Sequence, residues 1–198
     1  PNDIPAKATT EVNALLNLDA AARPNSDDRT TVEIDGLPGA PTPPELNYHF
    51  SNNFTAYDSL GNPVNVATYF ERVEAADAET IPTPSAGGVP ENLWNVTVVT
   101  DGTYRDRATL AFDTNGQLLR DPDPTVGVIG VDGADRFAVS GIPGSDVAED
   151  LNIEFRFDGS TQYAADSLQK ELNQDGFTSG ALAGITVTED GQIQRNFT

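Results

Sequence analysis

The residues from Asn53 to Glu71 restrict the fold more than any other part of the chain, because they alternate with a period of two on both sides of a turn. On the second arm Val64, Val66, Thr68 and Phe70 share one face and Asn65, Ala67 and Tyr69 the other, the spacing of a half-buried strand. On the first arm Phe54 and Ala56 alternate with Thr55 and Tyr57. Between the arms, Asp58, Ser59, Gly61, Asn62 and Pro63 supply turn chemistry: short polar side chains that bond their own backbone, a glycine that accepts positive φ, and a proline that fixes φ. The stretch is predicted to be a β-hairpin with Gly61 at positive φ.

The same grammar recurs along the chain. Thr31 to Ile34 runs into an Asp35-Gly36 turn. From Leu93, residues Trp94, Val96, Val98 and Thr100 alternate with Asn95, Thr97 and Val99, and Asp101-Gly102 turns this strand back toward Tyr104. Ala108 to Leu119 reads as a hairpin through Asp113-Thr114-Asn115-Gly116, where Asn-Gly is the best type I′ signal present. Val126 to Val131, Phe137 to Val139 and Leu151 to Phe157 read as strands, and Gly184 to Thr198 as a final hairpin around Asp190-Gly191. The strand-acid-glycine endings at Tyr57-Asp58, Phe112-Asp113 and Glu189-Asp190 are one turn solution used repeatedly at unequal spacing, not a fixed-period repeat.

Two stretches resist this reading. Val12, Leu15, Leu16 and Asp19 suit a helix, whereas Val12, Ala14, Leu16 and Leu18 alternate as a strand does, and periodicity alone does not decide between them. Ser160 to Asn173 is predicted to form a short helix from Tyr163, Leu168, Leu172 and the Asp166 to Lys170 spacing, capped near Gly176. Leu37 to Glu45, with Pro38, Gly39, Pro41, Pro43 and Pro44, is extended and marks a domain boundary. Ala75 to Glu91 is a surface loop rich in Ala, Pro, Gly and acids.

Composition removes whole classes of function. A net charge of −20, from 31 acidic against 11 basic residues, repels phosphate backbones and anionic membranes, so neither nucleic acid nor a membrane is an expected partner. No apolar run approaches a membrane span. Cysteine is absent, which excludes disulfides, thiol catalysis and thiolate metal sites. The one histidine, His49, cannot build a His-dependent triad or a multi-His zinc site, and reads as a strand-end residue beside Tyr48 and Phe50. Carboxylate pairs are unavoidable among 31 acids, and no aromatic cleft signature singles one out for glycoside chemistry.

The Asp-Gly windows at Asp35, Asp101, Asp132, Asp158, Asp175 and Asp190 lack the ligand spacing of an EF-hand. Asp121, Asp123, Asp132 and Asp135 form the densest acidic group, read as a solvated loop. Gly127, Gly130 and Gly133 lack the Lys and Ser or Thr of a phosphate loop. No enzyme activity, catalytic residue, cofactor-binding residue or metal site is expected.

The residues Phe54-Thr55-Ala56-Tyr57-Asp58-Ser59-Leu60-Gly61-Asn62, Tyr69-Phe70, Trp94-Asn95-Val96, Leu110 to Leu118, Asp175-Gly176-Phe177-Thr178-Ser179-Gly180 and Asp190-Gly191-Gln192-Ile193 together resemble the bacterial flagellar hook protein family in order and spacing. The resemblance implies a mainly β fold of two β domains, the outer one inserted into a discontinuous inner one. Carried onto this chain, residues 1–37 and 160–198 would form the inner domain and residues 38–159 the outer. It also tips Val12 to Leu18 toward strand. It further implies a structural subunit outside the cell, in a curved tube that passes motor torque to the filament. The implied partners are identical subunits and the hook cap and junction proteins. A rod subunit of the same axial family, or a surface adhesin or carbohydrate-binding module with Tyr69, Trp94 or Tyr104 in a groove, are the alternatives. Because the chain opens on Pro1 and contains no methionine, it is read as a fragment without the terminal helical segments, and as a monomer by itself.

Overall fold

The computed structural model describes residues 4–40, 42–78, 92–119, 136–180, 182–187 and 193–197, and these form strands, bridges and turns without a helix. In chain order the first strands are β1 (Glu11–Asp19), β2 (Thr30–Glu33), β3 (Glu45–Tyr48), β4 (Phe50–Tyr57), β5 (Pro63–Val73), β6 (Asn92–Thr100) and β7 (Thr103–Phe112). They are followed by β8 (Arg136–Ile142), β9 (Leu151–Arg156), β10 (Thr161–Tyr163), β11 (Leu168–Gln174), β12 (Leu182–Val187) and β13 (Ile193–Phe197).

Two sheets face each other. The first is the antiparallel meander β4-β5-β6-β7, in which the expected hairpin pairs Ala56 with Val64, Phe54 with Val66 and Phe50 with Phe70. The second is built on β1, which pairs in parallel with β9 and then β10 along one edge and antiparallel with β11 along the other, while β8 extends the sheet beyond β9. The alternating Val12, Ala14, Leu16 and Leu18 of β1 are all buried, so this segment is a strand.

Between the sheets, Val66, Phe70, Trp94, Val96, Val98 and Leu110 share one apolar core with the β1 residues and with Phe137, Val139, Ile153, Phe155 and Phe157. Aromatic rings span the gap: Phe54 meets Phe155 edge-on at 6.2 Å and Phe70 meets Phe157 at 6.0 Å. Phe70, Phe155 and Phe157 are fully buried, and each contributes about 1.5–3 kcal/mol by leaving water.

β6 is buried along both faces, although its sequence alternates. The second face is covered piecemeal: the β2-β3 hairpin closes a smaller core of Ile34, Leu46, Ala67 and Val99, with Tyr69 and Tyr104 packed against it, while Leu93 joins the main core, the Asn95 amide donates to Asp77 O and the Thr97 hydroxyl accepts from Arg107. The division of the chain into residues 1–37 with 160–198 and residues 38–159 runs through one sheet and one core. β1 pairs with β9 from one set and with β10 and β11 from the other.

Two expectations are corrected. Residues 160–173 form β10 and β11, not a helix, because β1 offers ladder bonds on both edges and pairing with it outweighs a weak helical period. Ser160 marks the point where the chain swings off β9: its hydroxyl donates to Ala14 O and accepts from Leu16 N, completing the ladder where backbone is missing. The type I′ turn is at Asp101-Gly102, with φ of +48° and +79°, and not at Asn115-Gly116, where only Gly116 has positive φ, +75°. The Asp113 carboxylate accepts the N–H groups of Asn115 and Gln117 and holds a wider loop open instead. The tail pairs as a hairpin, β12 with β13. Val126 to Val131, the Asp190-Gly191 turn and most of the Ala75 to Glu91 loop lie outside the described residues.

Candidate functional site: a two-strand stem fastened by aspartates

The chain enters and leaves the sandwich side by side. Ile4 bridges Gly180 and Lys7 bridges Phe177, with reciprocal backbone bonds of 2.8–3.0 Å, so the segments before β1 and after β11 form an antiparallel stem. Gly176 allows this approach, since a Cβ there would overlap Thr9. Thr9 is fully buried and ties the stem to the meander: its N–H donates to Tyr57 O at 2.8 Å, and its hydroxyl accepts Tyr57 N–H at 2.9 Å and donates to Gln174.

Asp175 closes the stem where it meets β1. It accepts the Lys7 ammonium at 2.7 Å, the Thr10 hydroxyl at 2.7 Å, and the N–H groups of Thr10 and Glu11 at 2.8 and 2.9 Å. Asp58, in the β4-β5 turn, is a second carboxylate that collects several donors, and it is fully buried. It accepts the N–H groups of Leu60 and Asn62 at 2.9 Å, the Asn62 amide, and Ser145 N–H at 3.0 Å, which fastens the β8-β9 loop to the β4-β5 turn. Burial pushes both carboxyl groups up, but the donors outweigh it and hold both well below the ordinary aspartate range.

The turns at Asp58 and Asp113 are the same structure. In each, the aspartate N–H bonds the carbonyl four residues on, the glycine N–H returns to the aspartate carbonyl, and one carboxylate oxygen takes two backbone donors. Each glycine is also a docking point. Gly61, at φ +84°, lies against Ala6 and Thr178 of the stem, and Gly116 lies against Gln162 and Tyr163 of β10. Gly116 O accepts Gln162 N–H at 2.8 Å, and the Gln117 amide donates to the Tyr163 hydroxyl. The two tips of the meander are thus where it grips the rest of the molecule.

These carboxylates make stability depend on acid. Their native pKa values lie below the ordinary 3.8, so their stabilisation is complete above that range and is lost as pH falls through it. The urea midpoint is expected to fall between about pH 5 and pH 2. Asp175→Asn keeps an acceptor for Thr10 and Glu11 but cannot be protonated, so its midpoint should fall less steeply. Parallel curves for variant and wild type would remove Asp175 from the acid limb.

His49 is structural. Its Nδ1 accepts Arg72 N–H at 3.1 Å, while Nε2 lies 3.2 Å from Arg23 O and 3.3 Å from Ser26 Oγ. Burial lowers its pKa, and an imidazolium there would set Nδ1–H against Arg72 N–H. Among the described residues no group of three or more His, Cys, Asp or Glu is arranged to hold a metal ion. Asp121, Asp123, Asp132, Asp135 and the Gly127 to Gly133 run lie outside the described residues. The three aromatics named for a ligand groove do not converge: Trp94 is fully buried in the main core, and Tyr69 and Tyr104 pack in the small one.

Sequence reasoning missed Thr9, Lys7 and Ser145, whose roles depend on partners far along the chain. Asp58 and Asp175 stood in visible motifs, but only the folded stem explains them.

Comparison with known proteins agrees with the resemblance drawn from the residues. The flagellar hook protein FlgE of Borreliella burgdorferi is 28% identical over 151 residues, which cover 71% of this chain and 30% of that protein. The chain therefore spans about 30% of that relative's length. Among solved structures it is similar to the Helicobacter pylori flagellar hook protein FlgE2, with a TM-score of 0.48 and 17% identity over 78% of this chain and 30% of that one. It is also similar to a 32 kDa fragment of the hook protein FlgE from Caulobacter crescentus, with a TM-score of 0.43 and 15% identity over 66% of this chain and 47% of that one. The model of the flagellar basal body protein FlaE D2 domain matches residues 17–177, which take in the whole meander, both aspartate turns and all of the second sheet except the first six residues of β1, and the chain belongs to that family.

Proposed function

We propose that this chain is the outward-facing part of a structural subunit of the flagellar hook, and that identical subunits polymerise outside the cell into a curved tube that passes torque to the filament. The observation that carries the reading is the stem: family membership over residues 17–177 takes in most of a sandwich whose two chain connections leave together at residues 4–10 and 175–180. A body inserted into another domain needs that geometry, because both of its ends must return to one place.

On this reading the inserted body is the whole sandwich between the stem strands, and the inner part of the subunit lies beyond the stem. The chain supplies shape and stiffness. Contacts between copies do not close on themselves, so they generate a helical assembly. Neighbouring copies in the tube, and the cap and junction proteins at its ends, are the partners.

The test uses the complete protein and this fragment side by side. The complete protein is expected to form tubes visible by electron microscopy, and the fragment to remain monomeric by light scattering. Regular filaments from the fragment alone, or a complete protein that never assembles, would overturn the reading.

A further inference from the structure

Proteins blunt the edges of their sheets with charge, bulges or covering loops, because an open edge pairs with whatever strand it meets. Here β7, β8, β11 and β13 carry charged residues, β12 carries a register shift, and β10 is covered by the Gly116 turn. β4 is the exception among the described edge strands. Its eight residues, Phe50–Tyr57, include no charge and no proline, and they pair with β5 without a register shift.

The direction of its free bonds follows from the stem. Tyr57 turns its N–H and C=O away from β5, and Thr9 takes both. In an antiparallel pair this outward direction recurs at every second residue. Thr55, Asn53 and Ser51 therefore direct their N–H and C=O groups to an edge with which no described strand pairs. The side chains of Asn53 and Thr55 are exposed.

Charge decides what fits there. Two copies of a chain with net charge −20 repel wherever their acidic surfaces meet, and an uncharged strip is where they can approach at least cost. We infer that, in the assembled tube, an extended segment of a second copy of this chain pairs with the free edge of β4 over residues 51–55. This rests on the tube reading above. The contact is head-to-tail, since β4 pairing with β4 would close a dimer and stop growth.

Hydrogen exchange on the complete protein tests it, with quenching before analysis. In unassembled protein the amides of Ser51, Asn53 and Thr55 should exchange fast while those of Asn52, Phe54 and Ala56 are protected, and assembly should slow the first three. Thr55→Glu restores like-charge repulsion at the edge and should raise the protein concentration needed for assembly about fivefold. Thr31→Glu, the same change at an exposed strand position elsewhere, should leave it unchanged, and both variants should keep the wild-type melting temperature. Tubes in which residues 51, 53 and 55 still exchange fast, equal effects of the two variants, or closed dimers joined through β4 would overturn the contact alone. Complete protein that never leaves the monomer would overturn the tube reading and this contact with it.

Discussion

Gly61→Ala is expected to destabilise the fold by about 3 kcal/mol, the sum of a left-handed backbone and an overpacked contact. At φ +84° any L side chain is strained, and a Cβ would stand 2.8 Å from the Ala6 Cβ and 3.1 Å from the Thr178 Cα. The second of these is backbone, so relief requires the stem to move away from the turn. Gly102 isolates the first contribution, because it has φ +79° and nothing within 4 Å of its would-be Cβ. Gly102→Ala should therefore cost only about 1 kcal/mol. Chemical denaturation of the two variants measures both. Equal losses would mean that the Asp58 turn does not bear on the stem, and the picture of the turn as a docking point would fall.

That comparison also shows where sequence reading stops. The positive φ of Gly61 was legible from Asp58-Ser59-Leu60-Gly61-Asn62, since short-range turn chemistry is written in adjacent residues. What presses on Gly61 was not, because Ala6 and Thr178 are brought there by the pairing of chain ends. The same limit explains the other differences. Alternation identified the meander strands and the Val12 to Leu18 face, but it could not tell that the second face of β6 is covered too, Val99 by the β2-β3 hairpin and Asn95 by the chain at Asp77.

Residues 160–173 have a period that fits two structures, and the edge of β1 chose between them. Asp101-Gly102 and Asn115-Gly116 both carry a type I′ signature. The carboxylate at Asp113, two residues before Asn115, diverted one of them to a wider loop. Of the stem, the sequence displayed the motif around Asp175-Gly176 without the partner that gives it meaning, Lys7 and Thr10 lying more than 160 positions away. The family resemblance could be read from those motifs because each is a run of adjacent residues, whereas the pairing of chain ends is a property of the whole.

Trp94→Ala is expected to cost about 4 kcal/mol, the middle of the range for emptying a buried aromatic site. The ring is fully buried in the main core on the central strand β6, where both sheets press on it and little can collapse into the space left behind. It also meets His49 edge-on at 5.6 Å, and the Arg72 guanidinium sits 5.9 Å from its centroid, so truncation removes two polar neighbours' packing surface as well. Trp94→Phe should cost much less. It keeps most of the volume and removes an indole N–H that has no hydrogen-bond partner among the described residues, so part of the packing loss is offset by relief of a buried unsatisfied donor.

Circular dichroism during urea unfolding measures both variants. In the wild type the same residue reports on itself, since Trp94 is the only tryptophan. Its emission should be blue-shifted and resistant to iodide quenching until the sandwich unfolds. A carbohydrate-binding role for this ring would demand the opposite, an accessible indole and a variant that loses ligand without losing stability. A loss for Trp94→Ala below about 1 kcal/mol would place the ring outside a packed core and reopen that alternative.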